Sequence, residues 1–196
     1  MKKILFFTFC IFSLGSYSQH YLDYLQRELS LPLFDKNILL RADFKGTQVI
    51  DIRKNHNDTL VYIYSYVHKI SCKDYKNEKI VFIIDTLNLK SISDSLKQLL
   101  FSRLNNINIP LRVEEDLMLK DGVNYFFLIP KNNSLQYIHF CDSEFLYQNK
   151  SVYLNINQLI SIFNHAFKVD NIFMTFRNEL KSGCYYISDN LIMTKP

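Results

Sequence analysis

Past residue 46, apolar and polar positions alternate along the chain in stretches that predict strands. Thr47 to Arg53, a polar turn at Lys54 to Asp58 (KNHND), Thr59 to Ile70, a polar loop and Lys79 to Thr86 predict a three-stranded meander opened by Gly46. At Ser91-Ile92-Ser93-Asp94 the period lengthens: Leu96, Leu99, Leu100 and Leu104 recur at helical spacing, and Pro110 follows. Alternation then returns. Arg112 to Lys120, a turn at Asp121-Gly122, Val123 to Ile129, a turn at Pro130 to Ser134 and Leu135 to Cys141 predict a second meander, since Asp-Gly between apolar runs is a strong hairpin signal. The nearly uniform apolar run Val123 to Ile129 (VNYFFLI) predicts a central strand covered on both faces.

A second helix is expected from about Ile156 to Lys168, capped by Asn155, with Ile156, Leu159, Ile160, Phe163 and Phe167 on one face. Asp170 is placed to cap another short helix through Leu180, Gly183 to close it, and Cys184 to Ser188 to form a last strand. Near the start, Tyr21, Leu22, Leu25 and Leu29 sit at helical spacing within His20 to Leu29, with Pro32 just beyond. The expected class is α+β: antiparallel meanders of about six to seven strands with two or three helices packed on one face. The order allows two βββα halves, although they share no residue-level identity.

The first residues read differently from the rest. Lys2 and Lys3 precede an uncharged apolar run, Ile4 to Gly15, and Ser16-Tyr17-Ser18 supplies small residues where a signal peptidase reads. That run is 12 residues, short of the roughly 20 a spanning helix needs. Cys10 lies in mid-run, without the small residues that precede a lipidated cysteine. The expectation is a secretory signal peptide over residues 1–18, a single α+β domain over 19–196 and a periplasmic or extracellular location, with no integral membrane segment in the mature chain. A composition rich in Lys, Asn and Ile suggests an AT-rich, bacterial source.

Losing Lys2 and Lys3 takes the formal charge from +4 to +2. Such a balance, with Lys and Arg scattered among acids, argues against nucleic acid as a partner, because phosphate binding needs a concentrated basic surface. The mature chain keeps Cys72, Cys141 and Cys184. One intramolecular disulfide can form by any of three pairings, and three reduced core thiols fit equally.

Glycines narrow the chemistry further. Gly46, Gly122 and Gly183 are isolated from one another, which excludes a P-loop, a dinucleotide fingerprint and a Gly-x-Ser-x-Gly elbow, all of which need clustered glycines. There is no His-Glu-x-x-His, no Cys-x-x-Cys and no Asp-rich calcium loop. No cofactor is expected.

Three stretches remain as candidate sites. In "YIHFCDSE", Tyr137 to Glu144, strand alternation puts His139 and Cys141 on one face; with His68 and Cys72 they could complete a Cys2His2 metal set, or they could act as a nucleophile and base. Buried thiols beside ordinary histidines explain them as well. In "LVYIYSYVH", Leu60 to His68, the even positions Tyr62, Tyr64, Tyr66 and His68 form one stripe. Such an aromatic ladder with polar tips suits a sugar ring or a peptide, although tyrosine is also favoured in strands generally. Acids form the third: Glu114, Glu115 and Asp116 fit a solvated strand edge, and Asp85 closes an apolar strand where a catalytic acid or a turn cap would sit. His165 and His56 read as solvated.

Two functions compete. The preferred one is a non-enzymatic exported module that binds a protein, peptide or glycan through the aromatic sheet face. The alternative is a small exported hydrolase with a dispersed site drawn from His139, Cys141, Asp142, His68 and Asp85.

Overall fold

The computed structural model describes residues 26–27, 29–32, 34–72, 81–89, 91–105, 124–131, 134–141, 150–188 and 191–196. The expected signal peptide, most of the helix expected over residues 20–29, the strand expected over residues 112–120 with Glu114, Glu115 and Asp116, and Asp142 to Glu144 lie outside the described residues. Among the described residues, eight strands and three helices follow in the order β1 (Ile38–Phe44), β2 (Gln48–Asn55), β3 (Asp58–Ile70), β4 (Val81–Leu89), α1 (Asp94–Asn105), β5 (Asn124–Lys131), β6 (Ser134–Cys141), α2 (Lys150–Phe167), α3 (Val169–Glu179), β7 (Gly183–Ser188) and β8 (Leu191–Lys195). The class is α+β, with every strand pairing antiparallel.

One sheet holds all eight strands, in the order β6-β5-β1-β2-β3-β7-β8 with β4 paired to β3. The two meanders are therefore not separate units: β5 pairs with β1 through Arg41 opposite Leu128 and Asp43 opposite Phe126. Strand β3 is the spine. Its 13 residues pair with β2 along Asp58 to Ser65, with β7 at His68 to Ile70 and with β4 along Val61 to Lys69.

Alternation along these strands sorts side chains onto two faces. Leu40, Ala42 and Phe44 of β1, Ile50 and Ile52 of β2, Val61 and Ile63 of β3, and Phe127 and Ile129 of β5 bury together with Leu100 and Leu104 of α1 and Ile156, Leu159, Phe163 and Phe167 of α2. Phe163 is the hub, with its ring 5.0 Å from Phe44, 6.4 Å from Phe127 and 5.5 Å from Phe167. Helix α3 packs on the same face farther along, where Phe176 and Leu180 meet Val67 and Tyr185. The helices thus cover one face, as the sequence pattern predicts.

Local chemistry explains the boundaries. The Ser93 hydroxyl accepts the Leu96 N–H at 3.3 Å and starts α1. Between β1 and β2 the Thr47 N–H donates to the Phe44 carbonyl at 3.1 Å, and Lys45 and Gly46 both take positive φ, 60° each, the pair of conformations a twisted hairpin turn requires. Helix α2 begins at Lys150, so Asn155 lies inside it and does not cap it. A second departure is Leu99, assigned by spacing to the apolar face of α1 but 40 % exposed. No helix among the described residues is long and apolar enough to cross a membrane.

Candidate functional site

The face of the sheet turned away from the helices carries a different chemistry. On β3, Tyr62, Tyr64 and Tyr66 alternate with Val61, Ile63 and the buried Ser65, as the stripe predicts. Register carries that face across neighbouring strands, since directly paired residues share a face. One row runs Leu128, Arg41, Asp51, Tyr62; the next runs Phe126, Asp43, Val49, Tyr64. On β6, Tyr137 pairs with Leu128, which extends the first row by one strand, and the register sets His139 opposite Phe126.

Charge is concentrated in the first row. Arg41 is 1 % exposed and Asp51 fully buried. The Arg41 guanidinium donates to Asp51 through Nε at 2.6 Å and through one terminal nitrogen at 2.8 Å, a bidentate pair. Arg53, partly exposed, donates to the second Asp51 oxygen at 2.5 Å and to the Tyr64 hydroxyl at 3.3 Å, and its guanidinium lies 5.1 Å from the Tyr62 ring centre. One carboxylate thus bridges two arginines. Burial works against the Arg53 charge, but the hydrogen bond and charge of Asp51 outweigh it and raise the Arg53 pKa. The same burial raises the Tyr64 phenol above its ordinary value, helped by the Asp51 charge and opposed by the arginines. Two donors inside this cluster, one terminal nitrogen of Arg41 and Nε of Arg53, are buried without a hydrogen-bond partner.

The second row is milder. Tyr66 donates to Asp43 at 3.4 Å, and Asp43 is 3 % exposed. Tyr137 stacks on Phe126 with ring centres 5.8 Å apart. Its phenol is pushed well above the usual range by burial first and then by the Asp43 charge.

A short piece of the chain's own N-terminal region lies over this face. Leu29 and Leu31 are 1 % and 5 % exposed and pack on Val49, Tyr64 and Tyr66, with Tyr62 at the border. Arg41 donates to the Pro32 carbonyl at 2.8 Å, and the Phe34 ring stands 5.7 Å from the Arg41 guanidinium. Within the expected tyrosine stripe, Tyr64 and Tyr66 are buried, at 6 % and 2 %, beneath Leu29 and Leu31. Tyr62 and His68 remain half-buried.

The dispersed candidates fare differently. Cys72 forms a disulfide with Cys184, with Cα atoms 5.3 Å apart and a sequence separation of 112. An oxidised sulfur is no thiolate ligand, so Cys72 cannot join a Cys2His2 set in this state. His68 stands on β3 while His139 and Cys141 stand on β6, four strand steps away in the sheet order, or about 19 Å along the sheet at roughly 4.8 Å per step. Asp85 pairs with Ser65 on β4, one strand farther still. The strand order therefore does not bring the histidines, cysteines and Asp85 together. No group of three or more His, Cys, Asp or Glu capable of holding a metal occurs among the described residues.

Sequence reasoning missed Arg41, Asp43, Asp51 and Arg53. Their signal was present: Arg-x-Asp before the hairpin turn and Asp-x-Arg after it place alternate charges on one face of paired strands. No family model, no curated protein and no solved structure matches the chain.

Proposed function

We propose that the chain is exported and acts as a non-enzymatic binding module, with its ligand surface on the aromatic sheet face opposite the helices. One observation carries the reading: among the described residues, Tyr62 and His68 stay partly exposed on the sheet face opposite the helices, while the helix-facing side is closed by three helices. A rigid aromatic platform suits recognition, because tyrosine supplies area and a hydroxyl at low entropic cost. The Arg41–Asp51–Arg53 bridge beneath it holds Tyr62 and Tyr64 in place through stacking and a hydrogen bond. The expected leader at residues 1–18 supports export, and a disulfide such as Cys72–Cys184 is what an oxidising compartment permits.

The test uses Tyr62 alone, because removing the buried Tyr64 or Tyr66 would damage the fold. Immobilised protein is panned against a random peptide library and a glycan array, and each captured ligand is measured on wild type and on Tyr62→Ser. The reading expects ligands whose affinity falls about tenfold or more on Tyr62→Ser, with an unchanged unfolding midpoint. Ligands indifferent to Tyr62 would send the search to another surface.

A further inference from the structure

Register sets Asp51 opposite Tyr62 and Thr86 opposite Tyr64, so Arg53, Tyr62 and Thr86 follow one diagonal of the tyrosine face across β2, β3 and β4. Diagonal neighbours on a sheet stand about 7–8 Å apart. All three reach solvent: Arg53 is 19 % exposed, Tyr62 half-buried and Thr86 exposed.

This diagonal holds a cation with donors to spare. Arg41 and Arg53 both bind the Asp51 carboxylate, so two guanidinium charges share one acid. Both hydrogen bonds of Arg53 leave from the same terminal nitrogen, Nη2, and end on Asp51 and the Tyr64 hydroxyl. Its Nε is buried without a partner, and Nη1 makes no hydrogen bond among the described residues. Asp35 also acts on Arg53 through its charge, but it is exposed and its carboxylate already accepts the Asn37 N–H at 2.7 Å. The backbone, by contrast, is spent: Tyr62 is paired with Asp51 on one side and with Asn88 on the other. A ligand on this face is therefore met by side chains alone, which disfavours an extended peptide, normally held through its main chain at a sheet edge. A sugar acid suits it better, because a carboxylate fits the planar guanidinium fork and sugar hydroxyls exchange hydrogen bonds with tyrosine and threonine hydroxyls.

We propose that this face binds an acidic glycan, with the carboxylate of one uronic-acid residue received by Arg53 and the sugar hydroxyls by Tyr62 and Thr86. The proposal rests on the binding reading above and names its ligand class.

The full, disulfide-bonded chain is applied to an array of uronic-acid oligosaccharides printed beside their carboxyl-reduced, neutral counterparts. The best-bound pair is then measured by isothermal titration calorimetry on wild type, Arg53→Gln and Thr86→Val. Wild type should bind the acid at least about tenfold tighter than its neutral counterpart, as expected for hydrogen bonds to a charged group. Arg53→Gln should bind the two alike, and Thr86→Val should weaken both while keeping the preference for the acid. Equal binding of acid and neutral sugar by wild type, or no binding to any acidic member of the array, overturns the proposal. Tighter binding of a tetraglutamate peptide than of the best acidic sugar also overturns it, in favour of an acidic-peptide site. If Arg53→Gln does not fold, the Arg53 Nε–H resonance of wild type decides: the acid should shift it and the neutral sugar should not, and an unmoved resonance refutes the contact. Panned ligands that depend on Tyr62 but bind Arg53→Gln as tightly as wild type would reject the acidic class and leave the binding face standing.

Discussion

Replacing Asp51 by alanine should be among the most damaging single changes to this fold. Asp51 is fully buried and accepts hydrogen bonds from two arginines, one of which, Arg41, is 1 % exposed. Its removal leaves the Arg41 guanidinium in the interior with the Pro32 carbonyl as its remaining hydrogen-bond acceptor and the Phe34 ring nearby. Breaking a buried pair by deleting one partner costs about 3–5 kcal/mol, because the other charge keeps its desolvation penalty without its compensation. Arg53, 19 % exposed, can turn toward water and adds little. With a urea dependence of about 2 kcal/mol per M, the unfolding midpoint should fall by about 1.5–2.5 M. The control separates charge from packing: in Arg41→Met/Asp51→Leu both charges go and the volume is kept, so the midpoint should recover to near wild type or above it. Equilibrium urea titrations followed by tyrosine fluorescence and far-UV circular dichroism measure all three proteins. A drop below about 0.5 M for Asp51→Ala, or a double variant no better than the single one, would refute the assignment of a buried bridge.

Reduction, or Cys72→Ser, should destabilise the fold by roughly 2–4 kcal/mol, because the disulfide closes a long loop and constrains the unfolded chain; thermal melts with and without reductant check this. Phe163→Ala should cost about 3–5 kcal/mol, as expected for a fully buried ring in aromatic contact with three others. Tyr64 and Tyr137 have raised folded-state pKa values, so their contribution is present below the unfolded tyrosine value of about 10 and is lost as pH rises through the folded values. Stability should therefore decline above about pH 10, and in an ultraviolet titration two tyrosines should ionise after the exposed ones.

Periodicity made most of this fold legible. The β3 stripe, the apolar face of α2 and the strands around Val123 to Cys141 could be read because their buried positions are uniformly apolar on the helix side. Strand β1 (ILLRADF) was missed because Arg41 and Asp43 interrupt it, and charge at alternate positions resembles a loop until a partner strand supplies Asp51. Strand β8 is short and lies at the sheet's end. In α2, Asn155 has the chemistry of a cap, yet the helix runs through it, as tertiary packing often overrides local preference. The tyrosine stripe was likewise visible, but its covering was not: nothing in the spacing of Leu29 and Leu31 says that a segment 33 to 37 residues before Tyr64 and Tyr66 lies on top of them. Cysteine pairing failed for the same reason, since the Cys72–Cys184 bond depends on β7 docking beside β3. For His139 and Cys141, what spacing could not show is that His68 stands four strand steps away and that Cys72 is bonded to Cys184.

The central claim is that the tyrosine face, and no other surface, receives the ligand. Backbone amide chemical shifts of the full, disulfide-bonded chain, followed while a ligand captured from the peptide library or the glycan array is added, test it most directly. The account predicts that the largest changes fall on Tyr62 and its neighbours on the same sheet face, Val49 and Tyr64, with α2 and α3 unaffected. Changes confined to the exposed sides of α2 and α3 would contradict it.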